Sequence, residues 1–197
     1  MARTSSTMLS LGSALPAFDL PVVPGTGPTR LKDKELDNRP VLLMVLCAHC
    51  PFVIHVEDGL SQLDQDYSSR VQFLAMSSNS LITHPQDGPD QLAEQARKQN
   101  WSFPYLLDQE QTLAKDLKAA CTPDFFLFSP GNGGKQELRY RGQLDGSRPG
   151  NELPVSCCDL RAALDAVLDG GAVNPEQRPS LGCNIKWHPG SEPDWFG

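Results

Sequence analysis

Val41-Leu42-Leu43-Met44-Val45-Leu46-Cys47-Ala48-His49-Cys50-Pro51-Phe52-Val53 is the stretch on which the reading of this chain turns. Its aliphatic run, bounded by polar sequence, describes a strand buried on both faces. Behind the cysteines, Phe52, Val53, Val56, Leu60 and Leu63 recur at the spacing of one buried helix face. Both thiols therefore fall in or just before a first helical turn, where unpaired N–H groups and the positive end of the helix dipole favour thiolate over thiol. The thiolate is the nucleophile of disulfide exchange, so Cys47 is the expected attacking sulfur and Cys50 the one that resolves the mixed disulfide.

Cys-x-x-Cys is also a metal knuckle, which needs a second ligand pair at similar spacing. Cys121, Cys157, Cys158 and Cys183 do not supply one, and no His-x-x-x-His accompanies them. A redox dithiol is the preferred reading and no metal ligand is assigned. Covalent haem would need His directly after the second cysteine, where this chain has Pro51.

The 197 residues suit one domain, and 39% hydrophobic with 21% charged residues is a globular composition. A net charge of -7 argues against nucleic acid or an anionic membrane surface as partner. The opening residues offer no apolar core with a cleavage site, and no run approaches membrane-spanning length. The expectation is a cytoplasmic protein whose cysteines are free or catalytic.

Along the chain, 1–16 reads as a loose lead-in, 17–170 as the folded domain and 171–197 as an irregular tail packed on it through Trp187, Trp195 and Phe196. Short strands are predicted over 18–23 and 29–31, then the strand, dithiol and helix described above. A strand over 71–76 follows, then a polar loop over 77–87 and a helix from Pro89 to Asn100. After a brief extended piece at 104–107 and a helix over 111–119, Asp124–Phe128 and Glu137–Arg141 form a hairpin around Gly131-Asn132-Gly133-Gly134. Ser156 and Asp159 resemble a capping box, and Leu160, Ala163, Leu164, Val167 and Leu168 form the inner stripe of the last helix. The order gives an α/β fold: a central mixed sheet with helices on both faces.

With that order in hand, Cys121-Thr122-Pro123-Asp124-Phe125-Phe126 resembles the cis-proline strand start of thioredoxin-fold proteins. X-Pro is the linkage at which a cis bond is cheap. The chain as a whole resembles the peroxiredoxin-like branch of that superfamily, the AhpC/TSA or thioredoxin family. The resemblance runs from Leu15-Pro16-Ala17-Phe18-Asp19-Leu20 through Cys47–Val53 with His55, Thr122–Phe126 and Tyr140-Arg141-Gly142-Gln143-Leu144-Asp145 to Gly182-Cys183-Asn184-Ile185-Lys186-Trp187. It implies a thioredoxin-like fold in which Pro123 lies against the dithiol and Thr122 offers its backbone to substrate.

The chain departs from both branches. With Cys50 set on the peroxide-reacting cysteine of peroxiredoxins, Leu43 replaces their Pro and Cys47 their Thr hydroxyl; against Trp-Cys-Gly-Pro-Cys of thioredoxins, Leu46 replaces Trp and Ala48-His49 replaces Gly-Pro. Auxiliary candidates are His49 as a charge partner of Cys47, Cys121 as a third thiol near Pro123, Arg141 as positive charge near the sulfurs, and Cys183 as a tail sulfur that docks on Cys47 or Cys121. Cys157 and Cys158 open the last helix and are read as incidental.

The expected activity is thiol–disulfide exchange on a protein or small-molecule disulfide, with electrons from a thiol donor and no bound cofactor. The alternatives are a thiol-dependent peroxidase acting through a sulfenic acid, and a non-enzymatic metal-binding or redox-switch module.

Overall fold

The computed structural model describes residues 3–131 and 133–195. The chain runs β1 (Arg3–Ser5), β2 (Asp19–Pro21), β3 (Arg30–Lys32), β4 (Val41–Val45), α1 (Pro51–Tyr67), β5 (Gln72–Ser77), α2 (Pro89–Gln99) and β6 (Tyr105–Leu107). It continues with α3 (Thr112–Asp116), β7 (Cys121–Thr122), β8 (Asp124–Pro130), β9 (Gln136–Gly142), α4 (Cys158–Leu168) and β10 (Leu181–Asn184).

A five-stranded sheet of order β6-β5-β4-β8-β9 forms the centre; β4, β5 and β6 are parallel, and β8 and β9 are antiparallel to their neighbours. β4 is buried along its whole length and divides the core by side-chain alternation. Leu42 and Met44 face a cluster with Val53, Leu60 and Leu63 of α1, Leu92 of α2 and Leu160 and Leu164 of α4. Val41, Leu43 and Val45 face a second cluster holding Leu113 and Ala114 of α3 with Ile185 and Trp187 of the tail. The continuous aliphatic run is thus explained by helices covering both sides of a central strand.

Three expectations need correction. The lead-in is not loose: β1 pairs with β10, and Gly12, Ser13 and Leu15 hydrogen-bond to Gln136 and Leu138 of β9. The tail is not wholly irregular, because β10 is the middle strand of a separate antiparallel sheet β1-β10-β7. Each of its strands is too short to be stable alone and draws its order from the others.

The capping box is also absent. Cys157 is the N-cap of α4, and Asp159 accepts from the Gln143 amide instead of the helix backbone. The helix start is held from outside: the Leu144 carbonyl accepts the Leu160 N–H at 3.2 Å, and Asp145 Oδ2 accepts the backbone N–H groups of Ser156 and Cys157 just before the helix, both at 2.6 Å. Of the residues expected at the β8–β9 reversal and in the packed tail, Asn132 and Phe196 lie outside the described residues.

Candidate active site

The end of β4 delivers Cys47 to a short connection, and Cys50 becomes the N-cap of α1 with Pro51 in its first turn. The Cys50 carbonyl accepts the first helical bonds, from Val53 at 2.9 Å and Ile54 at 3.0 Å. Antiparallel pairing of β4 with β8 then sets the start of β8 beside the dithiol, since Val45 lies opposite Asp124. The Thr122–Pro123 bond just before it is cis. Cys47 Sγ lies 3.5 Å from Thr122 Oγ1, and the Cys50 thiol donates to the Thr122 carbonyl at 3.2 Å. Both sulfurs are buried, and each acts on the ionisation of the other.

The electrostatics favour Cys50 as the more acidic of the two sulfurs. Accepting the Cys47 hydrogen bond lowers the Cys50 pKa, aided by Thr122, by the Cys183 thiol and by the Val53 N–H of the helix start, against the opposing effect of burial. Cys47 is pushed up: it is the donor to Cys50, it is desolvated, and the Asp87 carboxylate faces it. The helix N-terminus acts on the residue that caps it, which is Cys50; Cys47 stands three residues earlier, outside the first turn. When one proton leaves the pair, the charge resides on Cys50.

Asp87, which the sequence reading left in a polar loop, is the second centre of the site. Its side chain is fully buried, and its Oδ2 lies 2.7 Å from His49 Nδ1. Oδ1 accepts the N–H groups of Ala48 at 3.0 Å and His49 at 3.3 Å, and Oδ2 also accepts the Asn79 amide at 2.8 Å. The loop over 77–87 is buried at Ser77, Ser78, Asn79, Ser80 and Asp87: Asn79 and Asp87 serve the dithiol side, and Ser78 and Ser80 bond to Asp108 and to His188 of the tail. Gln95 of α2 completes it, donating to the Cys47 carbonyl at 3.3 Å and to Glu57 at 2.8 Å. His49 stacks on His84, ring centroids 5.4 Å apart. The sequence carried no mark of Asp87 beyond an acid before Gly88-Pro89, a pattern that ordinarily signals a turn.

The remaining candidates divide. Cys121 Sγ donates to the Pro123 carbonyl at 3.9 Å, and burial pushes its pKa well up. Arg141 does not serve the sulfurs: its guanidinium is bound to the Leu9 carbonyl at 2.8 Å and the Gln177 side chain at 2.7 Å, where it ties lead-in and tail to β9. The cation nearer this end of the fold is Arg148, whose charge acts on Cys121. Cys183 of the tail acts on Cys50, and its charge is also felt by Cys121. Cys157 is buried at the start of α4 beneath Gly59 of α1, and Cys158 is exposed.

Cys47, His49 and Asp87 bring their donor atoms within 4.8 Å of one another, the one grouping among the described residues with the shape of a metal site. The residues do not fit one. Asp87 spends both oxygens on N–H donors and the His49 ring, and a metal would have to strip these from a buried carboxylate.

The AhpC/TSA family model matches residues 11–139, a span that runs from the lead-in through the dithiol and cis-proline into β9. This chain belongs to the AhpC/TSA family. A search among curated proteins finds no match. Among solved structures, this AhpC/TSA chain is similar to an uncharacterised conserved protein of Geobacillus kaustophilus, at 40% identity and a TM-score of 0.90 over 97% of this chain and 99% of that one. It is also similar to a hypothetical protein of Sinorhizobium meliloti 1021, at 37% identity and 0.87 over 95% and 100%. A secreted disulfide oxidoreductase of Mycobacterium tuberculosis shares the fold at 16% identity and a TM-score of 0.55, over 76% of this chain and 95% of that one. The AhpC/TSA chain thus has the thioredoxin-like fold expected for it. Among the described residues no helix is long and apolar enough to cross a membrane.

Proposed function

We propose that this protein is a thiol–disulfide oxidoreductase whose dithiol is Cys47 and Cys50. The carrying observation is the convergence of the two sulfurs on Thr122, with Cys47 Sγ 3.5 Å from its Oγ1, the Cys50 thiol donating to its carbonyl at 3.2 Å, and Cys50 at the N-cap of α1. Two thiols held against one residue beside the cis-proline are placed to close a disulfide when substrate takes up their two electrons.

In the reaction the Cys50 thiolate attacks one sulfur of a substrate disulfide and expels the other as thiolate. The Cys47 sulfur then attacks Cys50, releases the second substrate thiol and closes the Cys47–Cys50 disulfide. The Cys47 proton has an acid–base pair at hand in His49 and Asp87, and two electrons pass from the dithiol to the substrate. A thiol donor reduces the protein by the reverse steps, and no bound cofactor is needed.

Insulin reduction, exchange with a small disulfide and consumption of hydroperoxide, compared in wild type, Cys47→Ser and Cys50→Ser, test this reading. Disulfide turnover lost in both variants supports it. A second reading, thiol peroxidase, is favoured by the acidic thiol at a helix start, the geometry in which a sulfenic acid would form. The Cys47 thiol where peroxiredoxins carry a hydroxyl speaks for exchange. Fast hydroperoxide consumption that survives Cys47→Ser would favour the peroxidase.

A further inference from the structure

We propose that Cys183 is a third redox-active cysteine, held by β10 against Cys50 so that the two form a disulfide during turnover on small disulfides. The proposal rests on the dithiol reading above and adds both a residue and a substrate class to it.

β10 runs antiparallel to β7 and sets Cys183 directly opposite Thr122, the residue whose carbonyl receives the Cys50 thiol. α1 lies against the same strand, so Cys183 sits between the helix start and the cis-proline turn. Its thiol hydrogen-bonds to Cys50. The approach of β10 is as close as backbones allow: a Cβ on Gly182 would lie 2.0 Å from the Thr122 carbonyl oxygen, which only glycine avoids. β1 closes over the other edge of β10, with Thr4 opposite Gly182, and Ile185 and Trp187 anchor the chain beyond it in the core. The sulfur is therefore delivered by a strand fixed on both sides.

That strand also decides what reaches the dithiol. A protein substrate offering an extended segment would hydrogen-bond to the backbone of Cys121 and Thr122, and β10 already occupies that edge. A low-molecular-mass disulfide needs no edge. Its sulfur is attacked by the Cys50 thiolate, which expels one small thiolate and forms a mixed disulfide. The Cys183 thiol is then no longer a donor to a thiolate, since Cys50 has been oxidised. The Cys183 sulfur attacks Cys50, its proton goes to the departing second small thiolate, and the Cys50–Cys183 disulfide results. Attack on Cys50 by Cys47, which gives up its proton to the freed Cys183, moves the bond to Cys47–Cys50. The two electrons gained by the small disulfide come from two protein thiols at every stage.

The test uses full-length Cys47→Ser treated with one equivalent of oxidised glutathione, acid-quenched, alkylated and mapped by mass spectrometry without reduction. The expected product is a Cys50–Cys183 disulfide, with both residues losing their alkylation label together. A stable glutathione adduct on Cys50 with Cys183 still alkylated would overturn the proposal, as would a Cys50–Cys121 bond or an unreactive Cys50. An acid-quenched time course on wild type covers the case in which Cys47→Ser does not fold; there the Cys50–Cys183 bond should precede Cys47–Cys50, and its absence at every time point counts against the relay. Wild type that reaches no Cys47–Cys50 disulfide contradicts the dithiol reading itself. Wild type that reaches it while Cys183 stays alkylated throughout contradicts only the relay.

Discussion

Two sulfurs that act on each other's ionisation respond unequally to loss of either one. In Cys47→Ser, Cys50 keeps its helix start and its Cys183 donor, so its alkylation rate should still show an inflection below the free-cysteine value of about 8.5. In Cys50→Ser, Cys47 retains burial and the facing Asp87, and its inflection should lie above that value. Iodoacetamide rates against pH check both, and an acidic inflection that survives in Cys50→Ser instead would restore Cys47 as the attacking thiol. Asp87→Asn carries the argument further. It removes a negative charge facing Cys47 and should accelerate alkylation of Cys47 in the Cys50→Ser background. The same change puts an amide NH2 where N–H donors converge, at a cost of about 2 kcal/mol read in urea melts. Asp87 was invisible in the sequence for a physical reason: what distinguishes a buried carboxylate from a loop one is the set of donors around it, and Asn79, Ala48 and His49 meet it only through the tertiary fold.

Elements differ in how much of them is local. β4 and α1 were legible because a run of aliphatics and a three-to-four repeat encode burial within a single segment, and the dithiol inherited its place from their junction. β10 was not legible. Leu181-Gly182-Cys183-Asn184 has no alternation and sits among Pro and Gly, and its extended form comes from partners at the far end of the chain and at the cis-proline turn. The start of α4 was misread for a related reason, since its acceptors are Leu144 and Asp145 and not residues of the helix. Asp145→Ala leaves the backbone N–H groups of Ser147, Ser156 and Cys157 without their acceptor and should therefore lower stability by about 1–3 kcal/mol in thermal melts. Replacing Asp159, the residue read as capping, should not reproduce that loss.

β8 begins with a further buried acid. Burial pushes the Asp124 carboxyl from 3.8 up to about 8, with Cys121 and Tyr140 among the ionisable groups around it. A raised carboxyl means that the folded chain holds a proton the unfolded chain has released. Between about pH 4 and pH 8 stability falls as pH rises, by up to about 1.4 kcal/mol per pH unit, and then levels off. Asp124→Asn abolishes that difference, so the variant should gain on wild type from pH 5 to pH 8 in urea midpoints. Parallel curves would show that Asp124 is ionised in the folded state.

For the whole molecule, the three-stranded sheet β1-β10-β7 joins the two ends of the chain at the dithiol. Removing residues 1–5 leaves β10 with one neighbour in place of two. The variant should keep its central sheet by circular dichroism yet alkylate Cys183 and Cys50 faster than wild type, and equal rates would mean that β7 and α1 alone hold the strand.

That joining of ends has a meaning for how the protein is made. Synthesis proceeds from the first residue at about 5–20 residues per second, so the strand that covers the sulfurs leaves the ribosome long after Cys47 and Cys50 have done so. For seconds the nascent protein presents a dithiol with an open sheet edge, and its guard arrives last. A newborn molecule is thus at its most receptive to extended polypeptide partners, and the folded one has closed that door with β10.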